Sequence, residues 1–161
     1  STPPIALGVV GEPTEMQPAI AEKGLMVLDV TARGKSGHAA RNEGENAIYK
    51  LLPDIEWFRT YKFPKESPIL GPVKMSVTQI NAGTQHNVIP DLCSIVVDIR
   101  SNECYSNEEL FAEICQHIQS EAKARSFRLN SSSIPSDHPF VKRAIELGKV
   151  PFGSPTLSDQ H

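Results

Sequence analysis

The period of hydrophobic and polar positions changes several times along the chain, and each change marks an element. Ile5 to Val10 is a continuous apolar run with β-branched residues, closed by Gly11, Glu12 and Pro13. It predicts a strand buried on both faces, of the kind that belongs to parallel sheets. From Leu25 to Ala32 the pattern alternates, with Met26, Leu28, Val30 and Ala32 on one face and Asp29 and Thr31 on the other. That is a half-buried strand. Beyond Asn46, Ile48, Leu51, Leu52, Ile55 and Phe58 recur at three- and four-residue steps, predicting an amphipathic helix that ends near Tyr61. Pro53 lies inside it and is expected to kink the helix or move its start, at a cost of about 3 kcal/mol in a regular helix.

Val73, Met75 and Val77 then alternate with Lys74, Ser76 and Thr78, a strand closing in the turn "NAGTQHN". In "DLCSIVVDIR" the residues Cys93, Ile95, Val97 and Ile99 share the core face, which leaves Arg100 on the opposite one. "SNEE" is a capping box, Ser106 to Glu109, ahead of a helix carrying Leu110, Phe111, Ile114, Cys115 and Ile118. "SFRLNSS", Ser126 to Ser132, alternates again and predicts the last strand. The order from Leu25 is therefore β-α-β-β-α-β, the α+β pattern of a ferredoxin-like sandwich. After the linker "PSDHP" a short helix presents Phe140, Val141, Ala144 and Ile145, and "VPFGSPTLSDQH" reads as loop. Three parts result, about 1–16, 17–134 and 135–161, and the outer two carry apolar surface that calls for a sheet this chain does not supply.

A chain of 161 residues with 39% hydrophobic content can bury one sizeable core. The net charge of -3, with both signs interspersed, leaves no basic stripe for nucleic acid, and no apolar run is long enough to span a membrane. "STPPIALGVVGEP" has neither the charged start nor the cleavage site of a secretory signal. Cys93, Cys104 and Cys115 are odd in number and have no C-x-x-C spacing, which argues for a reducing compartment, with cytoplasm the expectation.

Glu12 stands at the carboxyl end of the first apolar run, where open parallel sheets place ligand and metal sites; a solvated acid in a turn is the plainer reading. His38 follows Ser36 and Gly37 in a loop between strand and helix, where backbone can approach a ligand closely. It is either a catalyst or an ordinary loop histidine. His86, His117 and His138 form no pair with metal-ligand spacing. Asn87 and Arg100 frame the strand "NVIPDLCSIVVDIR", and an amide donor with a planar guanidinium suits an amino-acid-like ligand. A turn asparagine, and an arginine paired with Asp98, is the alternative.

"VVGEPT", "ARGKSGHAARNEGENAI", "INAGTQHNVIPDLCSIVVDIRS" and "GSPTLSDQ" together resemble, in order, segments of the zinc-dependent amidohydrolase and metallopeptidase family. That family contains acetylornithine deacetylase, succinyl-diaminopimelate desuccinylase, aminoacylase and the glutamate carboxypeptidases. The resemblance implies a catalytic α/β domain holding two zinc ions, or cobalt or manganese, and an inserted ferredoxin-like lid that forms homodimers. This chain matches the lid with the two segments that join it to the catalytic domain. Residue by residue, Glu12 matches a metal ligand, and His38 the lid histidine that stabilises the developing oxyanion in the other subunit's site. Asn87 and Arg100 match residues that hold the carboxylate and nearby carbonyl of an N-acyl amino acid, and Ser158 and Asp159 match a loop near the substrate. The family's other metal ligands and its Glu-Glu pair are absent from these 161 residues. The expectation is a portion of a larger hydrolase that by itself neither holds the metals nor turns over substrate.

A non-catalytic dimerisation or small-molecule-binding module of the same fold is the competing reading. RNA binding through the sheet shares the topology but needs aromatic residues on the central strands, and "VKMSVTQ" and "CSIVVDI" have none.

Overall fold

The computed structural model describes residues 3–158. The elements in chain order are β1 (Ala19–Glu22), β2 (Gly24–Arg33), β3 (Gly37–His38), α1 (Ala47–Thr60), β4 (Lys74–Ala82), β5 (Val88–Ile89) and β6 (Leu92–Ser101). They continue with α2 (Asn107–His117), β7 (Glu121–Ala124), β8 (Ser132–Ser133), α3 (Pro139–Glu146) and β9 (Phe152–Ser154). The main sheet runs β4-β6-β2-β7 with every neighbouring pair antiparallel. Counting only its own strands, that is the 2-3-1-4 order of the ferredoxin-like sandwich.

The alternation read from β2 and β6 sets the core. Met26, Leu28, Val30 and Ala32 of β2 and Cys93, Ile95, Val97 and Ile99 of β6 are buried together with Leu51 and Phe58 of α1 and Leu110 and Ile114 of α2. Direct partners such as Leu28 with Val97 and Val30 with Ile95 point to one face because cross-strand partners in an antiparallel pair share a side. In β4 the register shifts between Val77 and Gln79, so the extra residue Thr78 resets the alternation and Ile80 pairs with the core residue Ile95.

Helix α2 begins as its sequence requires. Ser106 Oγ accepts from the Glu109 amide at 3.1 Å, and a Glu109 carboxylate oxygen accepts from the Ser106 amide at 3.2 Å. Helix α1 starts at Asn46, whose side chain accepts from the Ile48 amide, and it runs through Pro53 without ending there. The proline neither stops the helix nor moves its start, because the buried face formed by Ala47, Leu51 and Phe58 continues on both sides of it.

Two expected strands are not where the pattern put them. Ile5 to Val10 forms no strand, and Ile5 and Val9 are 91% and 73% exposed, since no strand among the described residues lies beside the run. The fourth strand of the main sheet is Glu121–Ala124, not Ser126–Ser132. Ala122 and Ala124 face the core there with side chains too small to give a strong alternating signal. Phe127 instead packs edge-on against Phe111, and Asn107 gathers the connecting backbone, its Nδ2 donating to the carbonyls of Leu25, Phe127 and Leu129. Cys115, expected on the apolar face of α2, is exposed.

A small sheet, β8-β1-β9, ties together the places where the chain enters and leaves the main unit. Its β1 pairs antiparallel with β8 and parallel with β9.

Candidate functional site

The loop carrying His38 is shaped by glycines and closed by a short backbone clasp. Lys35 and Glu45 exchange two backbone hydrogen bonds of 2.9 and 2.8 Å, so the residues between them form a closed loop. Gly34 is required beside the clasp: a Cβ on it would lie 2.0 Å from the Glu45 carbonyl oxygen. Gly44 takes φ +85°, a left-handed conformation that costs glycine nothing. Within the loop, β3 pairs with β5, setting Gly37 opposite Ile89 and His38 opposite Val88.

His38 is exposed, but its ring is oriented. Its amide donates to the Glu43 carboxylate at 3.0 Å, and its Nδ1 accepts from the Ala40 amide at 3.1 Å. A ring nitrogen that accepts carries no proton, so in the neutral imidazole the proton is on Nε2, which has no partner among the described residues and is available to donate. Asn87 is brought beside it, its carbonyl accepting from the Ala39 amide at 2.9 Å. Next to this ribbon an open cleft of about 450 Å³ runs along the end of β4, lined by Ser36, Asn81, Thr84, Val88, Asp91 and Leu92.

Arg100 lies at the other end of the sheet. It is eight residues along β6 from Leu92, about 26 Å of extended strand. Its Nε and Nη2 donate to both carboxylate oxygens of Asp98 at 2.8 and 3.1 Å, so the pairing with Asp98 is present. The structure therefore joins His38 to Asn87 and separates both from Arg100. Glu12 is exposed in a turn where its carbonyl accepts from the Thr14 amide. Ser158 is anchored through its amide, which donates at 2.8 Å to the carboxylate of the buried Glu22 in β1. Asp159 and His161 lie outside the described residues.

Of the other histidines, His117 stacks on Trp57 and His138 caps α3 by accepting from the Phe140 amide. Among the described residues no group of three or more His, Cys, Asp and Glu side chains is placed to hold a metal ion. The residues described here do not by themselves fit a metal centre.

Two residues of the site carried no motif. Glu43 fixes the His38 backbone, and its only trace in the sequence is a carboxylate inside a glycine-bounded loop. Glu22 accepts from Ser132 Oγ as well as from the Ser158 amide, joining segments more than a hundred residues apart.

A family model described as a peptidase dimerisation domain matches residues 20–126. The chain belongs to the M20 peptidase dimerisation-domain family. Among relatives, this M20 domain is 29% identical over 150 residues to succinyl-diaminopimelate desuccinylase of Cereibacter sphaeroides, covering 88% of this chain and 39% of that protein. It is 34% identical over 101 residues to acetylornithine deacetylase of Myxococcus xanthus, covering 57% and 26%. The chain thus spans well under half the length of these relatives. In fold it is similar to aminopeptidase PepT of Bacillus cereus, with a TM-score of 0.65, 18% identity and coverage of 88% and 40%. An M20 family metallo-carboxypeptidase of Sulfolobus solfataricus gives 0.64, 16%, and 91% and 55%. No helix among the described residues is long and apolar enough to cross a membrane.

Proposed function

We propose that residues 17–134 are the lid of a hydrolase that removes an acyl group from an N-acyl amino acid, in the manner of an acetylornithine deacetylase. Residues 1–16 and 135–161 are its junctions with a catalytic domain. The observation that carries this reading is the hydrogen bond from the Ala40 amide to His38 Nδ1, which leaves an exposed Nε2–H as donor beside Asn87. Attack on an acyl carbonyl puts negative charge on its oxygen, and preorganised donors aimed at that oxygen lower the barrier. His38 and Asn87 are those donors. Arg100 takes the substrate carboxylate through the edge of its guanidinium not used by Asp98, and Ser158 and Asp159 border the same substrate.

The separation of His38 from Arg100 along the sheet supports a division of labour between subunits. Each site takes Arg100 from its own chain and His38 with Asn87 from the partner of a homodimer. The open edge strand β4, with Ile80 55% exposed, and the exposed Tyr49 and Leu52 of α1 supply a surface for that pairing. Glu12 is one ligand of a centre of two zinc ions, or cobalt or manganese, completed by the rest of the protein. The isolated chain is then expected to bind neither metal nor substrate productively, which metal analysis after dialysis checks.

In the full-length protein, His38→Ala is expected to lower kcat by about 10²- to 10³-fold with the fold intact. Mixing inactive His38→Ala and Arg100→Ala proteins is expected to restore part of the activity, because one site of the heterodimer then holds both residues. Full activity of His38→Ala would instead support the non-catalytic dimerisation module, and failure of the mixture to recover would refute the shared site.

A further inference from the structure

His38 is held at three polar atoms from within its own loop. Its amide donates to the Glu43 carboxylate at 3.0 Å, its carbonyl accepts from the Arg41 amide at 3.0 Å, and its Nδ1 accepts from the Ala40 amide at 3.1 Å. The bonds from Ala40 and Arg41 are local to the turn that follows His38. The bond to Glu43 is different, because that side chain returns across the loop from five residues on.

Two glycines make room for it. A Cβ on Gly37 would lie 2.9 Å from the Glu43 carbonyl oxygen and 3.0 Å from its Cγ, so the missing side chain before His38 is what lets Glu43 lie across that backbone. Gly44, at φ +85°, turns the chain directly after Glu43, and a Cβ there would lie 2.8 Å from the Lys35 carbonyl oxygen. Among the described residues the Glu43 carboxylate has no other hydrogen-bond partner, since Arg41 Nη1 stands 3.9 Å away, beyond hydrogen-bond length. An exposed bond of this kind adds little to folding stability. What it fixes is direction: the imidazole cannot turn without releasing the Ala40 amide, and the backbone that carries it cannot turn without releasing Glu43.

We propose that Glu43 is a positioning residue, aiming the His38 Nε2–H before substrate arrives. The proposal rests on the reading of His38 as the oxyanion donor and deepens it by naming the group that sets its aim. A preorganised donor acts where the oxyanion forms, in the transition state, and little in the ground state. Loss of Glu43 therefore falls on kcat and spares KM.

The test is steady-state kinetics of the full-length enzyme on N-acetylornithine, with histidine-selective 15N NMR and His38 amide exchange on the same samples; these last two need no substrate. Glu43→Ala is expected to lower kcat about ten- to a hundredfold and to change KM by less than about threefold, the scale of a slightly misplaced group. It is also expected to speed exchange at the His38 amide at least about tenfold, as the loop opens locally. The His38 ring signals then move towards those of a freely turning histidine. His138, whose Nδ1 accepts from the Phe140 amide in the same arrangement, is the internal control and is expected to stay in place. Glu43→Gln keeps an oxygen that accepts, and is expected to hold kcat within about threefold. Added to His38→Ala, Glu43→Ala is expected to cost nothing further, because the two residues act as one unit.

Full kcat in His38→Ala overturns the donor reading and the proposal with it. A large loss in His38→Ala, with kcat and His38 exchange unchanged in Glu43→Ala, overturns the proposal alone and leaves the donor reading standing. Equal losses in Glu43→Gln and Glu43→Ala, or a change in KM without kcat, overturn positioning through this hydrogen bond.

Discussion

Asp54 shows how much a single side chain can do in this fold. It is 2% exposed on α1 and accepts from the Gln119 and Ser120 amides, both at 3.0 Å, capturing the chain as it leaves α2. Asp54→Ala strands two amides, and the expected loss is about 2 to 4 kcal/mol of folding stability, read by chemical denaturation. Tyr61 donates its hydroxyl to the Glu113 carboxylate, and that hydrogen bond pushes the phenol from its ordinary 10.0 up to about 12. A folded-state value above the unfolded one stabilises the fold below pH 10, and that contribution is lost as pH rises through 12. Tyr61→Phe is therefore expected to flatten the fall in stability between these pH values. Neither partner was visible in the sequence, where Asp54 and Glu113 look like ordinary helix-surface acids.

At the scale of elements, the sequence was most legible where local periodicity is strong. Strands β2 and β6, both main helices and the Ser106 to Glu109 capping box lie where the pattern put them. The short ribbon of β3 and β5 has no period to read: two-residue strands exist only through their pairing. Ser126 to Ser132 misled because Phe127 and Leu129 alternate like a strand while packing as a connector. The clasp around His38 depends on Gly34, whose replacement by Ala forces a Cβ against the Glu45 carbonyl. Gly34→Ala is expected to open the clasp, speeding hydrogen exchange at the Lys35 and Glu45 amides and lowering kcat of the full-length protein towards that of His38→Ala.

At the scale of the whole molecule, apolar surface lies where none of the described residues covers it. Ile5, Val9, Leu147 and Val150 are 91%, 73%, 63% and 67% exposed, all in the segments that flank the main unit. They suit the junction proposed above with a catalytic domain. The edge strand β4 is a separate surface, and it is where the proposed homodimer forms. Ile80→Lys is expected to shift the full-length protein from dimer to monomer in sedimentation, with activity falling in parallel because His38 no longer reaches its partner's site. The sequence by itself determined which residues of β2 and β6 face the core and where the main helices begin, because side-chain period and capping chemistry act over a few residues. Only the tertiary structure decided that His38 and Asn87 stand together while Arg100 stands apart at the other end of the sheet. Strand pairing and register join residues distant in sequence, and no local pattern records which of them will meet.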